Sequence, residues 1–161
     1  MSSNLLTSRS KRASMALLAS FLLGAFSVTA HAGGPEPEEP GPIVLAQADR
    51  ILGHWQRGQG EAIIEVKRDA GVYRGVIVWS QRRPEAVGTE VFRELRYDPR
   101  KQAWEGRAYS IDRGREVRID IVAPGRDELE LTAHVLIFKR RVGFKRVPSS
   151  EAAARRTEQG L

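Results

Sequence analysis

The chain has 161 residues with no cysteine, 26 Lys and Arg against 20 Asp and Glu, and 41% hydrophobic residues. Zero cysteine excludes disulfides, thiol nucleophiles, Cys-ligated metal sites and a lipidated cysteine at a cleavage site. The formal charge of +6 points first to nucleic acid, but much of that excess lies in a segment expected to leave the protein.

That segment is the first 32 residues. Arg9, Lys11 and Arg12 form a basic start, and Met15 to Ala30 (MALLASFLLGAFSVTA) is uncharged and apolar but short for a membrane span. Ala30-His31-Ala32 then offers a small-x-small cleavage site. A retained membrane anchor is the competing reading; the Gly/Pro/Glu-rich flank that follows, in place of a basic stop-transfer cluster, favours cleavage. Cleavage removes three bases and no acids, which lowers the net charge from +6 to +3. The expected mature protein is secreted or periplasmic, does not insert in the membrane, and has an ordinary solvated surface with no stacking platform for nucleic acid.

Residues 33–42 (GGPEPEEPGP) read as an extended linker, because proline removes backbone donors and the glutamates repel. Ile43 to Leu52 can form a short helix leading into the folded unit, which spans 43–148. After it, 149–161 has no apolar stripe beyond three alanines and reads as a flexible tail or marginal helix.

Inside 43–148 the hydrophobic period is two. After the segment around Gly53-His54-Trp55-Gln56, strands are expected over 62–68 and 72–79, joined at Asp69-Ala70-Gly71, where Gly71 suits the positive φ of a tight turn. The segment 80–89, with Pro84 and Gly88, breaks the pattern as a rim loop or lid. Strands 91–97 and 102–111 flank Asp98-Pro99-Arg100-Lys101, and Asp112-Arg113-Gly114 turns into 116–122. There Val117, Ile119 and Ile121 share one face. Strand 128–135 follows a turn at 123–127, and a last strand over 142–147 follows a charged turn. About eight short strands in meander order predict an all-β, up-and-down antiparallel barrel, since a meander curls until its edges meet.

Specific residues then add a resemblance. Gly53-His54-Trp55, Ile64-Glu65-Val66 and the run Gly71 to Trp79 resemble the opening half of the exported bacterial family catalogued as domain of unknown function 2147. Trp104-Glu105-Gly106-Arg107-Ala108-Tyr109, Asp127 to Leu131 and the Arg140 to Val147 ending resemble its second half. The resemblance covers residues 51–147 and implies a lipocalin-like small β-barrel with no established activity. The chain departs from that pattern at 80–89, which is shorter and lacks a Cys pair, and at His134 and Phe144, where glycine and tryptophan are usual.

No catalytic equipment is recognisable, and the protein is read as a non-enzyme without metal or cofactor. His54 and His134 are far apart with no second ligand at metal spacing, no G-x-S-x-G elbow occurs, and Gly58-x-Gly60 opens no helix. The basic cluster Lys139-Arg140-Arg141 with Lys145-Arg146 reads as a charged strand rim, with lipid or polysaccharide phosphate as the sharper alternative. The aromatic set Trp55, Tyr73, Trp79, Trp104 and Tyr109 is the candidate ligand-binding site. Strict alternation puts Tyr73, Gly75, Ile77 and Trp79 on one face, and such rings either fill a small barrel or line a pocket. The first reading is a barrel that binds a small apolar or amphiphilic ligand; the alternative is an envelope interaction or structural module with a solid barrel and a docking outer face.

Overall fold

The computed structural model describes residues 41–58 and 60–160. The expected signal peptide, and the expected linker up to residue 40, lie outside them. The chain enters through helix α1 (Pro42–Ala48), opened by a proline whose missing N–H costs nothing at a first helical position, and a 3₁₀ turn at Asp49–Ile51. This matches the short helix expected over 43–52.

Eight strands follow: β1 (Gly53–Arg57), β2 (Ala62–Asp69), β3 (Val72–Ser80), β4 (Glu90–Asp98), β5 (Ala103–Ser110), β6 (Arg115–Val122), β7 (Glu128–Val135) and β8 (Phe138–Val147). Each pairs antiparallel with its sequence neighbours, and β8 returns to pair with β1, closing the barrel. Closure leaves no unpaired edge for another chain to extend. A meander also sorts its turns, since successive turns alternate between the two ends. The α1 entry and the turns after β2, β4 and β6 therefore share one end, here called the plug end. The turns after β1, β3, β5 and β7 share the other, the mouth.

Local chemistry sets the turns. Ala70 and Gly71 both have positive φ (46° and 77°), as a two-residue hairpin turn between Asp69 and Val72 requires. After β4 the Asp98 carboxylate accepts the backbone N–H groups of Arg100 and Lys101 at 2.9 and 3.4 Å. The last hairpin departs from expectation. Its turn is only Leu136-Ile137, and Lys139, Arg140 and Arg141 lie on β8, paired with His134, Ala133 and Thr132. Cross-strand pairing on a closed barrel needs only backbone groups, so a run of cations extends a strand wherever its side chains reach solvent.

Register irregularities bend the barrel along the β2–β3, β3–β4 and β4–β5 pairs. Between Ile63 and Ile64 the register slips, so that Ile63 faces Trp79 while Ile64 faces Ile77, and Val78 is the extra residue. In β4 the register shifts between Arg93 and Arg96, with Glu94 at φ 53°. There the β4 backbone crosses Gly106 so closely that a Cβ would lie 2.7 Å from the Arg93 carbonyl oxygen. Gly75 likewise leaves room for Phe92, whose ring would sit 2.5 Å from a Cβ at that position.

Residues 149–161 are open in sequence to two readings, a flexible tail or a marginal helix, and Ser149–Glu158 is helix α2, which replaces the flexible-tail reading there. Pro148 precedes it, Glu151 lies in its first turn and Arg155 and Arg156 in its last, each placed to complement the helix dipole. Its alanines suffice because they face an apolar outer patch and allow close approach. Ala152 packs with Ile63, Val78, Trp79 and Val147, all buried. The Gln159 side-chain amide donates to the Ser80 carbonyl at 2.7 Å, tying the far end of α2 to the mouth end of β3.

Candidate functional site

The barrel interior has two unlike halves. At the plug end the three buried aromatic residues Trp55, Tyr73 and Trp104 converge beneath the entry segment. The Trp55 indole N–H donates to the Ile51 carbonyl at 2.7 Å and the Trp104 indole N–H to the Ala48 carbonyl at 2.9 Å. The Tyr73 hydroxyl donates to Asp49 at 2.8 Å, and Arg68 holds both oxygens of that carboxylate at 2.9 Å. Arg146, the cross-strand partner of Trp55 on the same face, stacks its guanidinium 4.1 Å from the Trp55 ring and donates to the Leu52 and Arg50 carbonyls, both at 2.8 Å. Buried indole and phenol groups need partners, and here the partners are the groups that the entry segment leaves unpaired. Burial, followed by donation to Asp49 and its negative charge, pushes the Tyr73 hydroxyl up to about 12.

The mouth half is open. A cavity of about 540 Å³ begins above an edge-to-face pair, Phe92 and Phe144, with ring centroids 5.8 Å apart. These two rings line the cavity and also belong to the packed core, as do Ile64, Ile77, Val91 and Leu131 of its walls. The walls are aliphatic: Ile64 and Ile77, Val91, Val117, Leu131 and Val142, with Ala108 and Ala133 keeping the bore wide. A water occupies roughly 30 Å³, so the space far exceeds a few trapped waters, and its size is that of small-molecule sites.

The rim is charged. Arg57, Arg82, Arg83, Arg113 and Arg140 line it against the carboxylates Glu61 and Asp112. Arg82 pairs with Glu61 at 3.1 Å and Arg83 with Asp112 at 2.5 Å, so the β3–β4 connection is tied to the turns on either side of it. Among the described residues Arg57, Arg113 and Arg140 make no ion pair with a carboxylate. The expected rim segment 80–89 is a folded edge of the cavity: Ala86, in the 3₁₀ turn Pro84–Ala86, is buried, and the backbone bonds Ile77 N–H to Thr89 and Gly88 N–H to Ile77 close it at 3.0 and 2.8 Å.

The five aromatic residues singled out from sequence are therefore not brought together. Trp55, Tyr73 and Trp104 lie in the packed half, away from the cavity wall. Trp79 is on the opposite face from Tyr73, because the extra residue Val78 reverses the alternation. It is buried beneath α2, with the Arg155 guanidinium 5.2 Å from its ring. Tyr109 borders the cavity, under the Arg93 guanidinium at 5.1 Å. Sequence reasoning missed the wall residues and the arginines. A signal for the latter existed: Arg57, Arg82 with Arg83, and Arg113 fall at or beside alternate turns of the meander, and Arg140 lies three residues past the next one, so a barrel gathers them at one end.

Two histidines lie on the outer surface. His134 Nε2 is 2.6 Å from Asp120, and His54 lies 3.8 Å from Glu65 and 3.4 Å from the Ser149 hydroxyl. Among the described residues no group of three His, Asp or Glu side chains is placed to hold a metal ion, and no helix is long and apolar enough to cross a membrane.

No family model matches the chain, and no curated protein matches it. Among solved structures the barrel is similar to protein HP1028 from Helicobacter pylori, described as belonging to the lipocalin family. The TM-score is 0.51 at 14% identity, over 65% of this chain and 87% of that one. The fold is thus a lipocalin-like closed eight-stranded barrel.

Proposed function

We propose that the protein is an exported, non-catalytic carrier that takes a small amphiphile into the mouth half of its barrel, apolar chain inward and anionic end at the arginine rim. The observation that carries this reading is a cavity of about 540 Å³, aliphatic in its bore and charged at its rim, where Arg57, Arg113 and Arg140 pair with no carboxylate among the described residues. An apolar bore gains free energy by expelling water, at about 25 cal/mol per Å² of apolar surface buried. The guanidinium groups at its lip favour a carboxylate or phosphate over a neutral end. The alternative, a solid barrel with a docking outer face, draws on the outward apolar residues of β2 and β3, and α2 of the same chain already covers that patch.

Titration with dansyl-undecanoic acid tests the carrier reading. Saturable binding at one site is expected, abolished by Ala133→Trp, which fills the bore. Arg113→Glu/Arg140→Glu should weaken it by about tenfold, equivalent to about 1.4 kcal/mol. Binding that Ala133→Trp leaves intact would rule the cavity out as the site. Export is tested by the intact mass of protein from its own host, which should correspond to a chain beginning at Gly33; a mass retaining 1–32 contradicts cleavage.

A further inference from the structure

The β7–β8 turn presents three consecutive large apolar side chains to solvent: Leu136, Ile137 and Phe138 are 92%, 89% and 70% exposed. Nothing in the barrel's stability calls for them. They touch no core, and Leu136 adopts φ 55°, a left-handed conformation that glycine or asparagine would hold without strain. Immediately behind the tip, Lys139 and Arg140 follow Phe138 on β8, and Arg57 and Arg113 complete a cationic collar at the same end of the barrel.

We infer that the mouth of the barrel docks on the surface of an anionic lipid bilayer, with Leu136, Ile137 and Phe138 entering the headgroup–acyl boundary and Lys139, Arg140 and the rim arginines meeting lipid phosphates. An apolar tip backed by cations matches a surface whose apolar layer lies just beneath an anionic one. A protein partner fits less well, because three projecting side chains are far short of the roughly 1,000 Å² that a stable interface buries. A second copy docking mouth to mouth would bring arginine collars together. The inference does not depend on the cavity being occupied: docking uses the tip and collar, carriage the bore.

Protein purified from its own host, wild type and variants alike, is sedimented with vesicles of phosphatidylcholine alone or mixed with phosphatidylglycerol. Binding is expected only with phosphatidylglycerol, and both Ile137→Ser/Phe138→Ser and Lys139→Glu/Arg140→Glu should lower it by at least about tenfold. Ile137→Trp should show blue-shifted emission on the anionic vesicles. Exposed tip substitutions leave the core alone, and an unchanged Tm in Ile137→Ser/Phe138→Ser would confirm an intact barrel, keeping this result separate from the carrier reading. Equal binding by the tip variant, equal binding to phosphatidylcholine, no binding to either vesicle, or a solution dimer that the tip variant dissociates would each overturn the inference.

Discussion

Tyr73 shows how one side chain couples burial, charge and pH. Its phenol is buried and donates to Asp49, so the neutral form is favoured in the folded protein and the pKa rises from its usual value near 10 to about 12. The raised value means that this contribution to stability is fully present below pH 10 and is lost as pH climbs through about 12. Chemical denaturation across that window should show a fall in stability that Tyr73→Phe removes. At neutral pH the same variant should cost about 1.5 kcal/mol for the lost bond to a carboxylate. An unchanged alkaline slope in Tyr73→Phe would assign the loss to other groups. Gly106 makes a second case. An alanine Cβ there would sit 2.7 Å from a backbone oxygen that cannot step aside, whereas at Gly143 it meets nothing within 4 Å. Gly106→Ala should therefore destabilise by about 2 kcal/mol while Gly143→Ala leaves the denaturation midpoint nearly unchanged.

Among the elements, β3 and α2 explain each other. The extra residue Val78 turns Trp79 outward, and an exposed indole beside Ile63 and Val147 would be a sticky patch without Ala152 and its helix over it. Trp79→Ala should cost about 3 kcal/mol, though by emptying the helix–barrel seam instead of the barrel bore. Truncation after Pro148 should red-shift tryptophan emission and lower Tm by on the order of 10 °C; a truncated protein with unchanged Tm would show that α2 adds nothing to stability. The period-two pattern made the meander and most strand limits readable from sequence, because alternation reports directly on a sheet with one face buried. A bulge is invisible to that reasoning: one extra residue among Val76-Ile77-Val78-Trp79, all apolar, leaves no break in the pattern. The helix was hidden for the opposite reason, since its buried stripe is alanine. The start of β8 is not legible because Lys139-Arg140-Arg141 has the look of turn chemistry, while the actual turn, Leu136-Ile137, contains no turn-forming residue.

At the scale of the whole barrel, the rings of Trp55, Tyr73 and Trp104 and the cavity lie in opposite halves. The large rings near the chain's entry anchor α1 and the 3₁₀ turn over the plug end, and the empty volume collects where the walls are valine, leucine and alanine. Which end of a meander is filled depends on how side-chain volumes sum around a closed ring, a non-local property that no single strand displays. The ligand-binding role assigned to Trp55, Tyr73 and Trp104 therefore passes, in the carrier proposal, to the residues around the mouth. The most direct test is methyl NMR during titration with dodecanoate. Saturable shifts are predicted at Ile64, Ile77, Val117, Leu131 and Val142, with Ile51, Leu95, Ile119 and Ile121 unmoved. Shifts confined to that second group, or no saturable shifts at all, would contradict a barrel plugged at one end and ligand-accepting at the other.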